Sequence, residues 1–258
     1  MLRRCTKLGS WAIPMCQKST AIALAFAALA IAPLIARAEM GPCIQDDRGS
    51  LSCGTGVGAA RVIPKTTSPS NRLALAWRLT SSAPGYQLHE DNPDLESLIV
   101  RIEDGAILAK SRGTYWDMGD RYAKAQYLTA GWSPDSRLMI RMAGKGDAPH
   151  TAELFAFAQD DGITGPFDLV KVLDAAVRAE MKDVTDADKY VFTISTQPSM
   201  TIDDQGLVHA SVFMVARESG KERIYDLTAQ VMRVANSFDA KVLSISRYTG
   251  PYISVTAH

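Results

Sequence analysis

The chain has 258 residues, 28 basic and 28 acidic side chains, and a formal net charge of zero. Residues 1–38 hold five of the basic groups and no acidic one, so the rest of the chain carries 23 basic against 28 acidic side chains, a net charge of −5. A mildly acidic chain of this size suits one proper core and argues against nucleic acid as a partner.

Residues 1–38 read as a secretory signal peptide. Arg3, Arg4, Lys7 and Lys18 precede the apolar run at 21–35, and Ala36-Arg37-Ala38 forms a small-x-small cleavage site. The run has 15 residues and contains Pro33, whereas a spanning helix wants about 20. No stable membrane span is therefore expected after cleavage, and the expected location is periplasmic or secreted. Cys16 lacks a lipobox, and "RRCTKL" lacks the rest of a twin-arginine signal.

Residues 39–66 are rich in Gly, Asp and Ser and contain Pro64, which suggests a mostly irregular lead-in. Cys43 and Cys53 lie there in "CIQDDRGSLSC". Two cysteines in an oxidising compartment are most simply one disulfide, stabilising by roughly 3 kcal/mol at most over so short a loop. A redox pair would favour C-x-x-C spacing. "GTGVGAA" at 54–60 follows no strand and meets Pro64 before any helix, so its glycines read as turn residues rather than a phosphate loop.

From Arg72 onward the pattern is mostly period two. "RLALAWRL", "ESLIVRI", "AILAK", "RLMIRM", "ELFAFA", "KYVFTIS", "GLVHASVFMVAR", "RIYDLTAQVMRV" and "KVLSISRY" read as strands. Turn residues at 103–105, 160–162, 218–221 and 236–239 bound them. One segment at 165–181 differs. It sets Leu169, Val172, Leu173, Ala176, Val177 and Met181 on one helical face, with Pro166 suited to the first helical position and Asp168 to the first turn. An amphipathic helix over about 166–182, packed on a sheet, is expected.

The chain also repeats itself. "TSPSNRLALAW" at 67–77 aligns without gaps to "WSPDSRLMIRM" at 132–142, an offset of 65. Ser68, Pro69, Arg72 and Leu73 match Ser133, Pro134, Arg137 and Leu138. Each copy is followed by a strand whose glutamate, Glu96 or Glu153, stands nine residues before the glycine of an Asp-Gly turn. "TIDDQGLVHASV" is a fainter third copy, with Asp204 three before Leu207 as Asp135 is three before Leu138. Proline at a corner flanked by Ser and Asp builds a reverse turn, so Ser133, Pro134 and Asp135 read as structural.

"WSPDSRLMI" resembles the W-S-P-D-G-x-x-I/L turn and strand of TolB-like β-propeller repeats. "SPSNRLALAW" and "GPFDL" resemble segments of an uncharacterised family of exported bacterial β-proteins. The resemblance implies a propeller-related fold and an exported life, not an activity. Spacings of 65 and 69 are longer than a propeller blade, which recurs at roughly 40–50 residues, and three units are fewer than a closed ring needs. The expected fold is mainly β: partial or distorted propeller-like antiparallel sheets from about three repeated units, with one helix. Residues 67–258 are expected to form a single β-rich domain.

Local signatures for chemistry are missing: G-x-S-x-G, S-x-x-K, H-E-x-x-H and C-x-x-C do not occur. No catalytic residue, metal ligand or cofactor is assigned. "HEDNPDLE" at 89–96 has the oxygen donors of a calcium loop but not its spacing, and reads as a solvated turn. His209 reads as a half-buried sheet residue. The densest functional signal is aromatic. "TYWDMGDRYAKAQYLTAGW" at 114–132 holds five of the chain's 19 aromatics, interleaved with charge. Tyr115, Trp116, Asp117, Asp120, Arg121, Tyr122 and Tyr127 are the candidate binding residues, while Trp132, matched by Thr67 in the repeat, reads as a structural slot. The expectation is an exported, non-enzymatic domain that binds a protein or cell-envelope component. The alternatives are a hydrolase whose His89 or His150 meets an acid and a hydroxyl, and an envelope structural protein without a discrete site.

Overall fold

The computed structural model describes residues 40–47, 49–80, 94–112, 115, 126–145, 149–160, 162–196 and 199–248, with the side chains at 111, 112, 126, 127 and 145 outside that description. Among these residues the chain is mainly β, with three antiparallel sheets, one α-helix and no closed barrel. The first sheet runs in chain order through β1 (Cys43–Gln45), β2 (Leu51–Cys53), β3 (Ala60–Val62), β4 (Leu73–Leu79), β5 (Leu95–Arg101) and β6 (Ile107–Arg112). The second takes β7 (Gln126–Trp132), β8 (Leu138–Lys145), β9 (Thr151–Phe157) and β10 (Ile163–Asp168), also in chain order. Helix α1 (Leu169–Glu180) follows. In the third sheet β11 (Tyr190–Ile194) and the short β12 (Thr201–Ile202) both pair with β13 (Leu207–Ala216), which continues into β14 (Glu222–Val234) and β15 (Ser237–Arg247). No helix among the described residues is long and apolar enough to cross a membrane.

The three repeated turns share one device. In the first, the Ser68 hydroxyl accepts the N–H of Leu73, the first residue of β4, at 3.1 Å. In the second, Ser133 Oγ accepts the N–H of Leu138 at 2.9 Å. In the third, Asp203 Oδ1 accepts the N–H of Leu207 at 2.8 Å. Each turn closes through a residue at positive φ: Asn71 at 56°, Ser136 at 63° and Gly206 at 79°. Left-handed backbone suits Asn and Gly, and at Gly206 a Cβ would stand 2.6 Å from the Val231 carbonyl oxygen. The third turn is one residue shorter than the others. The acceptor aligned with Ser133 is therefore Asp203, and Asp204, matched to Asp135 by spacing, does something else.

That other role ties the units together. Asp204 Oδ1 accepts the backbone N–H of Asp135 at 2.7 Å, joining the third turn to the second. Ser136 Oγ accepts the N–H of Ser70 at 2.9 Å, joining the second turn to the first. Trp132 adds a bond from its indole N–H to the Thr66 carbonyl at 2.8 Å and sets its ring 5.4 Å from that of Phe157. Trp132 thus fills a structural slot, as its place in the repeat suggests.

Because the turns are equivalent, the alternation after them is in phase. Leu73, Leu75 and Trp77 on the first sheet pack against Met139, Phe155 and Phe157 on the near face of the second. Ile140 and Met142 on the far face of the second sheet pack against α1 and the third. In the third sheet Val208, Ala210 and Val212 point back into that core. Leu207, His209 and Ser211 then take the positions of Leu138, Ile140 and Met142, and His209 is exposed. At these positions the third sheet has thus exchanged apolar side chains for polar ones, while Phe213, further along the same face of β13, is buried. His209 is exposed where a half-buried position is expected.

The opposite end is closed differently. Ala74, Ala76, Leu98 and Val100 on the outer face of the first sheet pack with Cys53 and Ala60, and with the partly buried Met40, Cys43 and Val62. The lead-in is mostly irregular but holds three short strands, which continue the sheet through Ser52↔Arg61 and Arg61↔Trp77. Cys43 pairs with Cys53 directly across β1 and β2 as a disulfide.

Helix α1 begins later than its sequence suggests. Asp168 is its N-cap, accepting the Lys171 N–H at 3.3 Å, and Pro166 lies in β10. The edge strand accommodates the proline through an irregularity between Thr164 and Phe167. Leu169, Leu173, Val177 and the C-cap Met181 are buried between the second and third sheets. At β7, which the period-two pattern does not pick out, Gly131 comes so close to the third unit that a Cβ would meet the Met200 carbonyl oxygen at 2.7 Å.

Ser133→Ala removes both the acceptor for Leu138 and the 2.6 Å hydroxyl contact to Asp135. It should lower the unfolding free energy by about 1–2 kcal/mol in urea denaturation; an unchanged midpoint would show that the turn device is dispensable.

Candidate functional site

Of the seven residues marked as a binding face by the sequence, only Tyr115 has a described side chain. It is buried with Leu95, Leu128 and Phe155 between the first and second sheets, so it belongs to the core rather than to an exposed face. Trp116, Asp117, Asp120, Arg121 and Tyr122 lie outside the described residues. Tyr127 lies in β7, with its side chain outside the description. The segment holding them connects β6 of the first sheet to β7 of the second.

The hydrolase alternative finds no assembled relay among the described residues. His89 and most of the acidic loop before Asp94 fall outside them. His150 is exposed, and its backbone N–H bonds Ala143. His209 Nδ1 lies 3.3 Å from Thr228 Oγ1, while the Ser211 hydroxyl donates to Asp226 at 2.5 Å. His209 and Thr228 face each other across β13 and β14, and Ser211 faces Asp226 in the next row. The hydroxyl is committed to the acid and the imidazole to a second hydroxyl, so neither is set up as a nucleophile–base pair. No group of three or more His, Cys, Asp or Glu among the described residues has the geometry of a metal site.

A concave feature lies at the seam of the first two sheets. A cavity of about 350 Å³ opens between β5 and β6 on one side and β8, β9 and β10 on the other. Ser97, Ile99 and Ala109 line the first wall. Phe155, Ile163 and Pro166 line the second, and Arg141 and Glu153 supply its charges. Gly165 is part of this wall. Its φ of +125° and the Leu154 carbonyl oxygen, 2.6 Å from where a Cβ would stand, leave no room for a side chain.

Both repeated glutamates form cross-strand ion pairs, Glu153 on the face that lines this seam and Glu96 on the outer face of the first sheet. Glu153 pairs with Arg141 directly opposite on β8, through Nε at 2.8 Å and through Nη2, both on the same carboxylate oxygen. Glu96 pairs in the same way with Arg78 on β4, at 2.8 Å from Nε. It also lies 3.5 Å from Lys110, a cavity-lining residue of β6. The arginine beside Glu153 lies 5.8 Å from the Phe155 ring centroid. The sequence alone does not single out Arg78 or Arg141, although the glutamate spacing points to their partners.

The Asp-Gly turn after the first of those strands carries the clearest electrostatic feature. The Arg101 guanidinium, 2.6 Å away, and the Ala106 N–H hold the Asp104 carboxyl down at about 2. At Asp135 burial pushes the carboxyl up, but the Ser133 hydroxyl and the Arg137 N–H outweigh it and leave it below the usual range.

Comparison of the chain with protein-family models and with curated proteins finds no match.

A carboxylate held below its unfolded value stabilises the fold above that value and releases the contribution as pH falls through the folded one. Asp104 should therefore titrate near 2 by carbon-detected NMR, and Asp104→Asn should matter near neutrality and progressively less between about pH 4 and 2. A midpoint near the ordinary carboxylate value would remove the Arg101 pairing from solution.

Proposed function

We propose that this chain is an exported β-domain that acts by binding a protein or cell-envelope component, without catalysing a reaction on it. The observation that carries the reading is the lined recess at the seam between the first two sheets; the aromatic, charge-interleaved sequence that follows β6 supports it. Recesses with apolar walls and a few convergent polar groups are the usual form of a ligand site, and tyrosine and tryptophan beside arginine are the side chains that dominate contact surfaces.

Export to the periplasm or beyond is part of the proposal. The charged, apolar and small-x-small order of residues 1–38 supports it, as does the disulfide across β1 and β2. A relation to TolB-like propeller repeats is likewise proposed, on the strength of the matched turns at 68, 133 and 203 and the contacts between successive ones.

The test is capture from an envelope extract by residues 39–258, with and without Trp116→Ala and Tyr122→Ala together. The double variant should lose the partner at least tenfold while keeping its circular dichroism and melting point. Equal capture by a folded double variant would remove the aromatic connection from the binding surface.

A further inference from the structure

The third sheet ends in a long strand whose free side carries no other strand among the described residues. β15 (Ser237–Arg247) pairs with β14 alone. Two other edges are spoiled for pairing. β10 carries Pro166 and an irregularity between Thr164 and Phe167. At β11 the Ile194 N–H bonds the Pro149 carbonyl at 3.1 Å. β15 runs regularly from Ser237 to Val242, and its pairing slips only at the bulge at Leu243. A regular free edge is a template for another strand.

The turn before β15 fixes the phase of its backbone. Val234 pairs with Ser237 across Ala235 and Asn236, with Ala235 at a φ of 51°. The pair that closes such a two-residue hairpin exchanges both main-chain bonds. Alternation then turns the N–H and C=O groups of Asp239 and Lys241 toward β14, and those of Phe238, Ala240 and Val242 toward the free side. In keeping with this, the Ala240 N–H bonds the Asp239 carboxylate at 2.9 Å rather than β14. The inner face is held from below, where the Phe238 ring lies 6.0 Å from that of Phe167. Asp239 and Lys241 are exposed on the outer face.

Those two charges select what can pair there. Within the regular run, three antiparallel registers join two copies of the strand through two or more of the outward residues. The register centred on Asp239 sets aspartate against aspartate, and the one centred on Lys241 sets lysine against lysine. The register centred on Ala240 sets Asp239 of each copy opposite Lys241 of the other, in a non-hydrogen-bonded pair where side chains are closest. The Ala240 N–H then bonds the Ala240 carbonyl of the second copy, and the Asp239 carboxylate is released to the lysine. This register also brings Leu243 of one copy opposite Ser237 of the other, one strand away from Val234. Leu243 and Val234 are two of the large apolar side chains that this sheet exposes.

We propose that β15 is a self-association edge: two copies of the chain pair their 237–242 runs antiparallel about Ala240, and their third sheets become one continuous sheet. Charges on an edge ordinarily guard it against pairing; opposite charges two residues apart penalise the neighbouring registers and favour this one. The resulting interface is isologous, as a two-fold dimer requires. The proposal is independent of the seam between the first two sheets.

Sedimentation velocity of residues 39–258 over a range of concentrations is the test, and reversible exchange between monomer and dimer is the expected result. Asp239→Lys and Lys241→Asp each set like charges opposite one another, and each should weaken association about tenfold. An equimolar mixture of the two variants should recover it, because every contact between 239 and 241 in the mixed pair again joins opposite charges. The variant carrying both changes should recover it as well. Ala240→Pro removes an N–H that β14 does not use, so it should abolish the dimer while circular dichroism is kept. Should the proline variant misfold, the mixture still decides. A chain that stays monomeric up to about 1 mM, an oligomer indifferent to the charge variants, or no recovery on mixing would overturn the proposal. So would a monomer whose β15 takes up an extended peptide of another protein instead.

Discussion

The structure depends on one hydrogen bond made three times: a side-chain oxygen at the start of a turn accepting the first N–H of the strand that follows. Strand side chains alternate, so shifting the entry by one residue would send every apolar group to the wrong face. Ser68, Ser133 and Asp203 fix that entry at Leu73, Leu138 and Leu207. The phase they set puts Trp77 and Met142 in successive cores and Ser211 on the terminal surface. The third turn shows that the acceptor matters more than its identity or the exact turn length. Aspartate replaces serine and one residue is dropped, yet the captured N–H and the positive-φ closure remain.

A stack of sheets also has two end faces that must not invite further stacking. This chain treats them in opposite ways. The first sheet keeps an apolar outer face and covers it with the disulfide-bonded hairpin of its own N-terminal strands. The third sheet makes the start of its outer face polar, with His209 and Ser211 standing where the other units have leucine, isoleucine, methionine or tryptophan and pairing with Thr228 and Asp226, and with Phe213 buried further along. The polar exchange explains why the third copy of the repeat is the faintest in sequence. Its strand is under a different constraint from the two that face a neighbour on each side.

Legibility in the sequence obeys the same logic. The long strands with one core face and one other face, such as β13 and β14, announce themselves by alternation, and the amphipathic helix by its own period. β10 is hidden because "ITGPFD" carries Gly165 and Pro166, which punctuate rather than propagate, and the same proline suggests a helix start ahead of the true cap at Asp168. β7 is hidden inside the aromatic cluster, where Tyr127 suggests a surface before it suggests a strand. Tyr115 reads as part of that surface because an amphipathic aromatic looks alike in a core and at an interface. The glutamates at 96 and 153 are visible as spacing, but their partners are not. The offset from Arg78 to Arg141 differs from that between the glutamates, and both differ from the offset between the turns. Cross-strand pairing absorbs those differences in its loops, so the pair is periodic in space and not in sequence.

The two seams between sheets explain why a cavity occurs where it does. Successive twisted sheets touch closely at one side and diverge at the other, and the widening gap needs filling. Between the second and third sheets α1 supplies the filling, with Leu169, Leu173, Val177 and Met181 buried in it. No helix stands among the described residues between the first and second sheets, and there the wall residues enclose open volume instead. The charged pair on that wall, Arg141 with Glu153, replaces what would be another apolar contact: the equivalent cross-strand positions in the third sheet are Ala210 and Leu227. Both of those are buried against the core. A fold optimised only for packing would have used such a pair at both seams. The polar substitution at the seam that is also left open is therefore the place where this architecture departs from the demands of stability, and departures of that kind mark function.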